Sequence, residues 1–418
     1  MSKTLMIKAM ALGAVACAFS ATGFAADVQN GHGQGIADSI TEVNGAKHEA
    51  VRSSWMDRTD VVVGVGMKDS KETHSQHHYV GESSMRHDDL NTVTSKSSKS
   101  TEINKLYIET LQPITHYDEN AKSVVFVQGR IGRSGENISS RALNNYWVPA
   151  RPAGTFITHD KQTDKKESLG MNANIGIGYR RLSKGEHAYV GVNAFYDHVF
   201  KGGYKRVSGG VEYVAGLNEF HANLYRNLGT DDRKYIGLRG RSNVLGDPAG
   251  LYPYGLDSNQ GLFNYGVVSY ENHWMLSEKV VASGFDVGYS RTFKNARWAR
   301  VYADYYNWRG REAVRVGYHK LKKRDAIKGF KVGAEFHITP HLTLDAGYQT
   351  ASHHLSGPYA TLKYTIGTSK FAWRGGKHSE SAITTARSKM LDKVHRSDMV
   401  VQEVEEETYD HGVVDVGL

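Results

Sequence analysis

Cysteine is almost missing from this chain. The single one, Cys17, lies inside an N-terminal stretch that reads as a cleavable export signal. That stretch starts Met-Ser-Lys, runs as small apolar residues from Leu5 to Phe19 and reaches Gly23-Phe24-Ala25, so a cut is expected after about Ala25. Its apolar run is too short for a membrane anchor. As a lipoprotein acceptor Cys17 is a poor match, because Ala14-Val15-Ala16 departs from the usual start of a lipidation site. Removal of the signal leaves a chain without disulfides, cysteine-based metal sites or thiol nucleophiles. Long apolar runs are also lacking. No later segment offers about 18 consecutive apolar residues, which excludes a transmembrane helix. An exported chain without such helices can still cross a membrane as a closed barrel, whose strands satisfy one another's backbone groups. No nucleic-acid module is visible either, and export argues against that partner despite a net charge of +8. There are no solenoid-type repeats.

What is present is an alternation. From Met171 the chain reads Met-Asn-Ala-Asn-Ile-Gly-Ile-Gly-Tyr-Arg. Successive side chains of a strand point to opposite faces. One face is then Met171, Ala173, Ile175, Ile177 and Tyr179, and the other Asn172, Asn174, Gly176, Gly178 and Arg180. The same split recurs in Val190–Asp197, Ala299–Tyr306, Phe330–Phe336, Leu342–Gln349 and Ala360–Ile366. Strands are expected near 61–67, 102–112, 122–132, 169–181, 187–197, 205–215, 218–228, 279–291, 297–308, 328–338, 341–350 and 358–367. About twelve such strands predict an all-β fold, a transmembrane antiparallel β-barrel with apolar residues toward lipid and polar residues toward a lumen. The lumen-lining set then includes Asn172, Asn174, Arg180, Asn193, Asp197, Glu212, Asp286, Asp304, Glu335 and Asp345. Tyrosines end many apolar faces: Tyr179, Tyr196, Tyr213, Tyr289, Tyr305, Tyr348 and Tyr364. They predict an aromatic girdle at each membrane interface.

Connection lengths alternate. Short turns are expected at 116–121, 183–187, 215–218, 292–296 and 339–340, and long ones at 68–100, 132–168 and 228–279. Short periplasmic turns and long outer loops are usual for such barrels, which places the N-terminus in the periplasm. Residues 68–100 carry no periodicity and read as a loop, while Tyr265–Trp274 reads as a hairpin extension above the membrane. After Gly367 the pattern changes. Ile383, Ala386, Met390 and Val394 fall at three- and four-residue steps, with Arg387, Lys389, Lys393 and Arg396 between them, which predicts an amphipathic helix with a basic face. An acidic stub follows at Glu403–Glu407 and reads as a solvated tail without calcium-loop spacing. The divisions are 1–25 signal, 26–58 periplasmic helical segment, 59–367 barrel, 368–402 linker or helix through the lumen, and 403–418 short acidic surface stub.

Several segments resemble the inverse autotransporter family, the intimin and invasin β-domains. They are NIGIGYRRL at Asn174–Leu182, VGVNAFYDH at Val190–His198, IETLQPI at Ile108–Ile114, FVQGRIG at Phe126–Gly132, LTLDAGYQT at Leu342–Thr350 and KMLDKVHRSDMVVQ at Lys389–Gln402. The resemblance implies a twelve-stranded outer-membrane barrel whose C-terminal linker returns through the lumen and carries a passenger to the cell surface. The linker residues are then Ile383, Arg387, Met390, Lys393, Val394 and Arg396, meeting lumen carboxylates, with wall glycines leaving room for them. The implied setting is the outer membrane of a Gram-negative bacterium, with loops and C-terminus exposed. The implied partners are outer-membrane lipids and lipopolysaccharide, the barrel assembly machinery, and a host or cell-surface ligand at the outer loops. The usual Ig-like passenger is not matched: about sixteen residues follow Gln402.

The residues leave other readings open. A channel or porin needs a lumen that the linker does not fill. A rim-site hydrolase needs a base within reach of a nucleophile or water, and no spacing here demands one. His74, His77, His78 and His87 match no defined metal site, and Gly64-Val65-Gly66 is no nucleotide loop. No catalytic residue, cofactor or metal is expected.

Overall fold

A computed structural model describes residues 54–80, 87–117, 120–150, 155–229, 232–235, 239–245, 265–316, 319–321, 323–352, 356–369, 371–377 and 386–417. The expected export signal, most of the expected 26–58 helical segment and Ile383 lie outside the described residues. A short 3-10 turn, Met56–Arg58, leads into the first strand. The strands in chain order are β1 Thr59–Val80, β2 His87–Pro113, β3 Ser123–Arg133, β4 Glu136–Ala150, β5 Thr155–Ser168, β6 Met171–Leu182 and β7 Ala188–Val199. Next come β8 Lys205–Ala215, β9 Asn218–Asn227, β10 Asp232–Tyr235, β11 Arg239–Leu245, β12 Tyr265–Val281, β13 Gly284–Phe293 and β14 Ala296–Trp308. The last are β15 Val314–Val316, β16 His319–Leu321, β17 Ile327–His337, β18 Leu342–Ala351, β19 Gly357–Thr365 and β20 Val400–Gly417.

Twelve of these strands close a barrel. The ring runs β1, β2, β3, β6, β7, β8, β9, β13, β14, β17, β18, β19 and back to β1, antiparallel at every step. Closure leaves no lipid-exposed edge with unpaired backbone groups. Each expected strand position falls within or across one of these twelve. The alternation explains the register, because a one-residue slip exchanges the two faces. Ile175 and Ile177 are 59% and 51% exposed on the outer surface, whereas Arg180 and Asp197 on the inner surface are 1% and 4% exposed.

The girdle tyrosines lie near both ends of the apolar band. Tyr213 and Tyr289 flank Phe220 near the short-turn end, with ring centroids 6.4 and 4.9 Å from it. At the other end Tyr305 packs between Phe285 and Phe330, at 6.0 and 5.1 Å. By register Tyr179 and Tyr364 belong to the first end, and Tyr196 and Tyr348 to the second.

Above the second end the chain departs from the sequence reading. The sequence predicts a loop over 68–100, yet β1 and β2 continue as a paired ribbon to Tyr79 and His87. Its outer part is rich in Ser, Thr and Lys on both faces, so no apolar period marks it. Backbone pairing and cross-strand charges such as Lys161–Glu72 hold it to β5. Residues 132–168 supply the β4–β5 hairpin, and 228–279 supply β10, β11 and β12. The expected acidic stub is also ordered. It belongs to β20, which lies parallel to β4 over Val400–Thr408 and antiparallel to β12 over Val401–Gly417. Its carboxylates face cations on those neighbours, Glu403 to Lys279 at 3.0 Å, and Glu405 and Glu407 to Arg141. The upper parts of β1 and β2, with β5, β4, β20 and β12, thus form a cap sheet continuous with the barrel wall.

Candidate functional site

Inside the lumen, a stretch of this chain joins the two ends of the barrel. Residues Ala386–Ser388 make a single helical turn at the short-turn end, and Lys393–Met399 then run without helix or strand to the base of β20. The expected helix over 381–394 is therefore mostly absent among the described residues. The wall supplies the bonds that a helix would have made internally. Val394 N donates to Gln128 Oε1 at 2.9 Å, and Ser397 N to the Tyr225 hydroxyl at 2.8 Å and Asp286 Oδ2 at 3.1 Å. Asn223 donates to the His395 carbonyl, Arg206 to the carbonyls of Ser397 and Asp398, and Arg180 to those of Met390 and Asp392. Seven residues reach at most roughly 23 Å when fully extended, most of the height of an apolar band about 25 Å tall.

Side chains fasten the same segment. Arg396 forks onto Asp197 at 2.8 and 2.6 Å and lies 4.3 Å over the Phe195 ring. Lys389 reaches Glu219, and Lys393 reaches Asp60. Asp398 is held by Arg130 and, at 3.0 Å, by Lys105. Arg387 turns to Glu186 in the β6–β7 turn at 3.0 Å. Ala386, Met390 and Val394 bury their side chains against Leu111, Val124, Phe126, Leu182, Tyr189 and Phe195, an apolar plug at the short-turn end. Buried charges of this kind persist only when paired and hydrogen-bonded.

Of the carboxylates named from sequence, Asp197 meets a linker cation and Asp286 meets the linker backbone. The others are engaged within the wall. Glu212 pairs with Arg180 at 2.5 Å, Glu335 with Arg300 at 2.6 Å and Lys363 at 3.1 Å. Asp304 lies 3.7 Å from His221, and Asp345 accepts from the Tyr302 hydroxyl at 2.5 Å. Asn172 bonds Ser134 near the cap, and Asn174 and Asn193 line the wall without a bond to the linker among those described. The sequence reading missed the acceptors that Lys389 and Lys393 use, Glu219 and Asp60. Parity was the available signal: Glu219 alternates with outward Phe220, and Asp60 with outward Val61 and Val63. It also gave the wall arginines no role toward the linker backbone.

The wall glycines serve a different purpose from the one expected. A Cβ at Gly178 would lie 2.2 Å from Phe126 Cζ, and one at Gly176 2.2 Å from Phe195 Cδ1. The glycines accommodate rings of the wall itself, and those rings carry the linker. Beside the linker, toward β14–β19, a cavity of about 270 Å³ remains, bordered by Tyr302, Asp304, Lys331, Asp345 and Tyr359. Among the described residues no group of three or more His, Asp or Glu is placed to hold a metal ion.

The model of the inverse autotransporter β-domain family matches residues 158–398. No curated protein sequence matches the chain. Among solved structures, one reported as "Unveiling the Mechanism Behind the in-meso Crystallization of Membrane Proteins" is similar at 13% identity, with a TM-score of 0.43, 82% of this chain covered and 100% of the other. The translocator domain of the autotransporter NalP from Neisseria meningitidis is similar at 10% identity and a TM-score of 0.22, with 78% and 95% covered. OmpF of Salmonella typhi, in complex with daunomycin, is similar at 8% identity and a TM-score of 0.20, with 72% and 96% covered. The family match covers more than half of the chain and ends inside the lumen-crossing linker, and this protein belongs to the inverse autotransporter β-domain family.

Proposed function

We propose that this outer-membrane barrel threads its own C-terminus through its lumen to the cell surface and displays it there, in surface presentation or adhesion. The observation that carries the reading is the irregular segment Lys393–Met399, bonded to the wall along its course and continuing into β20 beyond the long-hairpin end. In this reading the short turns face the periplasm and the cap sheet faces outward. The first 25 residues are a cleaved export signal. Assembly uses the barrel assembly machinery, and the outer rim contacts lipopolysaccharide. The cap sheet is the surface offered to a host or cell-surface ligand. The role is structural, without catalysis.

The cavity of about 270 Å³ beside the linker favours weighing one second reading, an outer-membrane channel. Planar-bilayer conductance separates the two. The full chain should conduct little, and deletion of residues 386–418 should raise single-channel conductance severalfold. A large conductance in the full chain that the deletion leaves unchanged would refute the linker as a seal and favour the channel.

A further inference from the structure

Two kinds of contact hold the linker, and they read different things. Asp60 and Glu219 read its side chains, Lys393 and Lys389. Arg180, Gln128, Asn223, Tyr225 and Arg206 meet the linker in that order from Met390 to Asp398. Every hydrogen bond described between these five side chains and the linker ends on a backbone N–H or carbonyl.

Each of the five is also set in place by the wall alone. Arg180 forks onto Glu212 through Nε and Nη2, at 2.5 and 3.0 Å, which leaves Nη1 for the carbonyls of Met390 and Asp392. Arg206 gives Nε to Asp197 at 2.8 Å and lies 4.3 Å over the Tyr225 ring, which leaves both Nη groups for the carbonyls of Ser397 and Asp398. Gln128 donates its amide to Glu109 at 3.0 Å, so its Oε1 is turned to the Val394 N–H. Tyr225 and Asn223 both donate to Asp286, at 2.6 and 2.7 Å. The Tyr225 oxygen keeps a lone pair for the Ser397 N–H, and Asn223 keeps a hydrogen for the His395 carbonyl at 3.0 Å. None of these wall bonds involves a linker atom. The donors and acceptors therefore stand ready whichever residues pass between them.

We propose that these five side chains form a track that binds polypeptide backbone irrespective of sequence, and that successive segments of the C-terminal region occupy it in transit before Met390–Asp398 comes to rest there. The inference rests on the threading reading above. A chain entering the lumen gives up water from its peptide groups, and an unmatched buried peptide group is costly. Pre-positioned wall groups replace that water. Every residue except proline offers the same N–H and carbonyl, so the track does not choose among side chains. Asp60 and Glu219 do choose, and they set the register at which transit stops.

The test uses the full chain with an unstructured passenger and an epitope tag appended after Leu418. One passenger is rich in Gly and Ser, the other in Glu and Lys. After pulse labelling, the half-time for the tag to reach antibody on intact cells is measured, counting only barrels folded by their heat-modifiable gel migration. Arg180→Lys/Arg206→Lys keeps charge beside Glu212 and Asp197 but cannot serve wall and carbonyls with the same geometry. It should lengthen the half-time about three- to tenfold for both passengers, the loss expected for about one net hydrogen bond. Lys389→Gln/Lys393→Gln, which removes the side-chain contacts alone, should leave the half-time unchanged. If the arginine pair does not fold, Asn223→Ala should show a smaller slowing in the same direction. Wild-type half-times in the track variants, slowing of one passenger only, or equal slowing by the lysine pair would overturn the track and leave threading intact. A wild-type tag that never surfaces would overturn the threading reading itself, and the track with it.

Discussion

Arg396 shows most clearly what a lumen does to a side chain. It is almost fully buried, forked onto Asp197 and stacked over Phe195, while Arg206 holds the same carboxylate from the wall at 2.8 Å. Removing one partner of a buried pair leaves an uncompensated charge, at a cost of about 3–5 kcal/mol. Arg206 still faces Asp197, so Arg396→Ala should fall near the lower end and lower the thermal transition followed by circular dichroism. Arg396→Lys should recover only part of the loss, because an ammonium cannot reproduce the fork. A transition unchanged in Arg396→Ala would show that the pair contributes nothing. Gly178 makes a complementary case. A side chain there meets the Phe126 ring, on which Arg180 lies at 4.6 Å. Gly178→Val should overpack the wall by about 1–3 kcal/mol, and Gly178→Val with Phe126→Leu should restore much of that. If the double variant is no more stable than the single one, the ring is not what the glycine accommodates.

At the scale of elements, β20 carries the main prediction. Lys279 and Glu403 are directly opposed across β12 and β20. In a Cys17→Ser background, a Lys279→Cys/Glu403→Cys variant should form one intramolecular disulfide on oxidation. A free thiol pair that never closes would mean that β20 does not dock. Docking should also depend on pH through Glu405. Burial raises its pKa above the ordinary carboxylate value, Arg141 opposes this, and Glu403 and Glu407 raise it further. A carboxyl with a raised folded-state pKa adds stability that is complete below its unfolded pKa and lost as pH rises through the folded value. The tail should therefore resist limited proteolysis better in mild acid than at neutral pH, and Glu405→Gln should flatten that difference. Equal pH dependence in both proteins would exclude Glu405 as the cause. The barrel strands were legible in the sequence because lipid on one side and lumen on the other enforce a period of two. The cap strands were not. Both faces of the β1–β2 ribbon are polar, Thr73, His74, Ser95 and Lys96 among them, and its register rests on backbone pairing. Helix periodicity at Ala386, Met390 and Val394 was real as a pattern of burial. It misled about conformation beyond the first turn because the wall's Gln128, Tyr225 and Arg206 compete for the linker backbone.

For the whole molecule, barrel, linker and cap form one connected path. The plug of Ala386, Met390 and Val394 closes one end, the wall bonds hold the middle, and β20 ties the other end between β4 and β12. Withdrawing the tail would break all three together, so the arrangement is expected to be kinetically stable once made. Direction is the central claim. An epitope tag placed after Leu418 and probed by antibody on intact cells tests it most directly. The account predicts labelling of intact cells equal to that of permeabilised ones. Labelling that appears only after the outer membrane is permeabilised would contradict it.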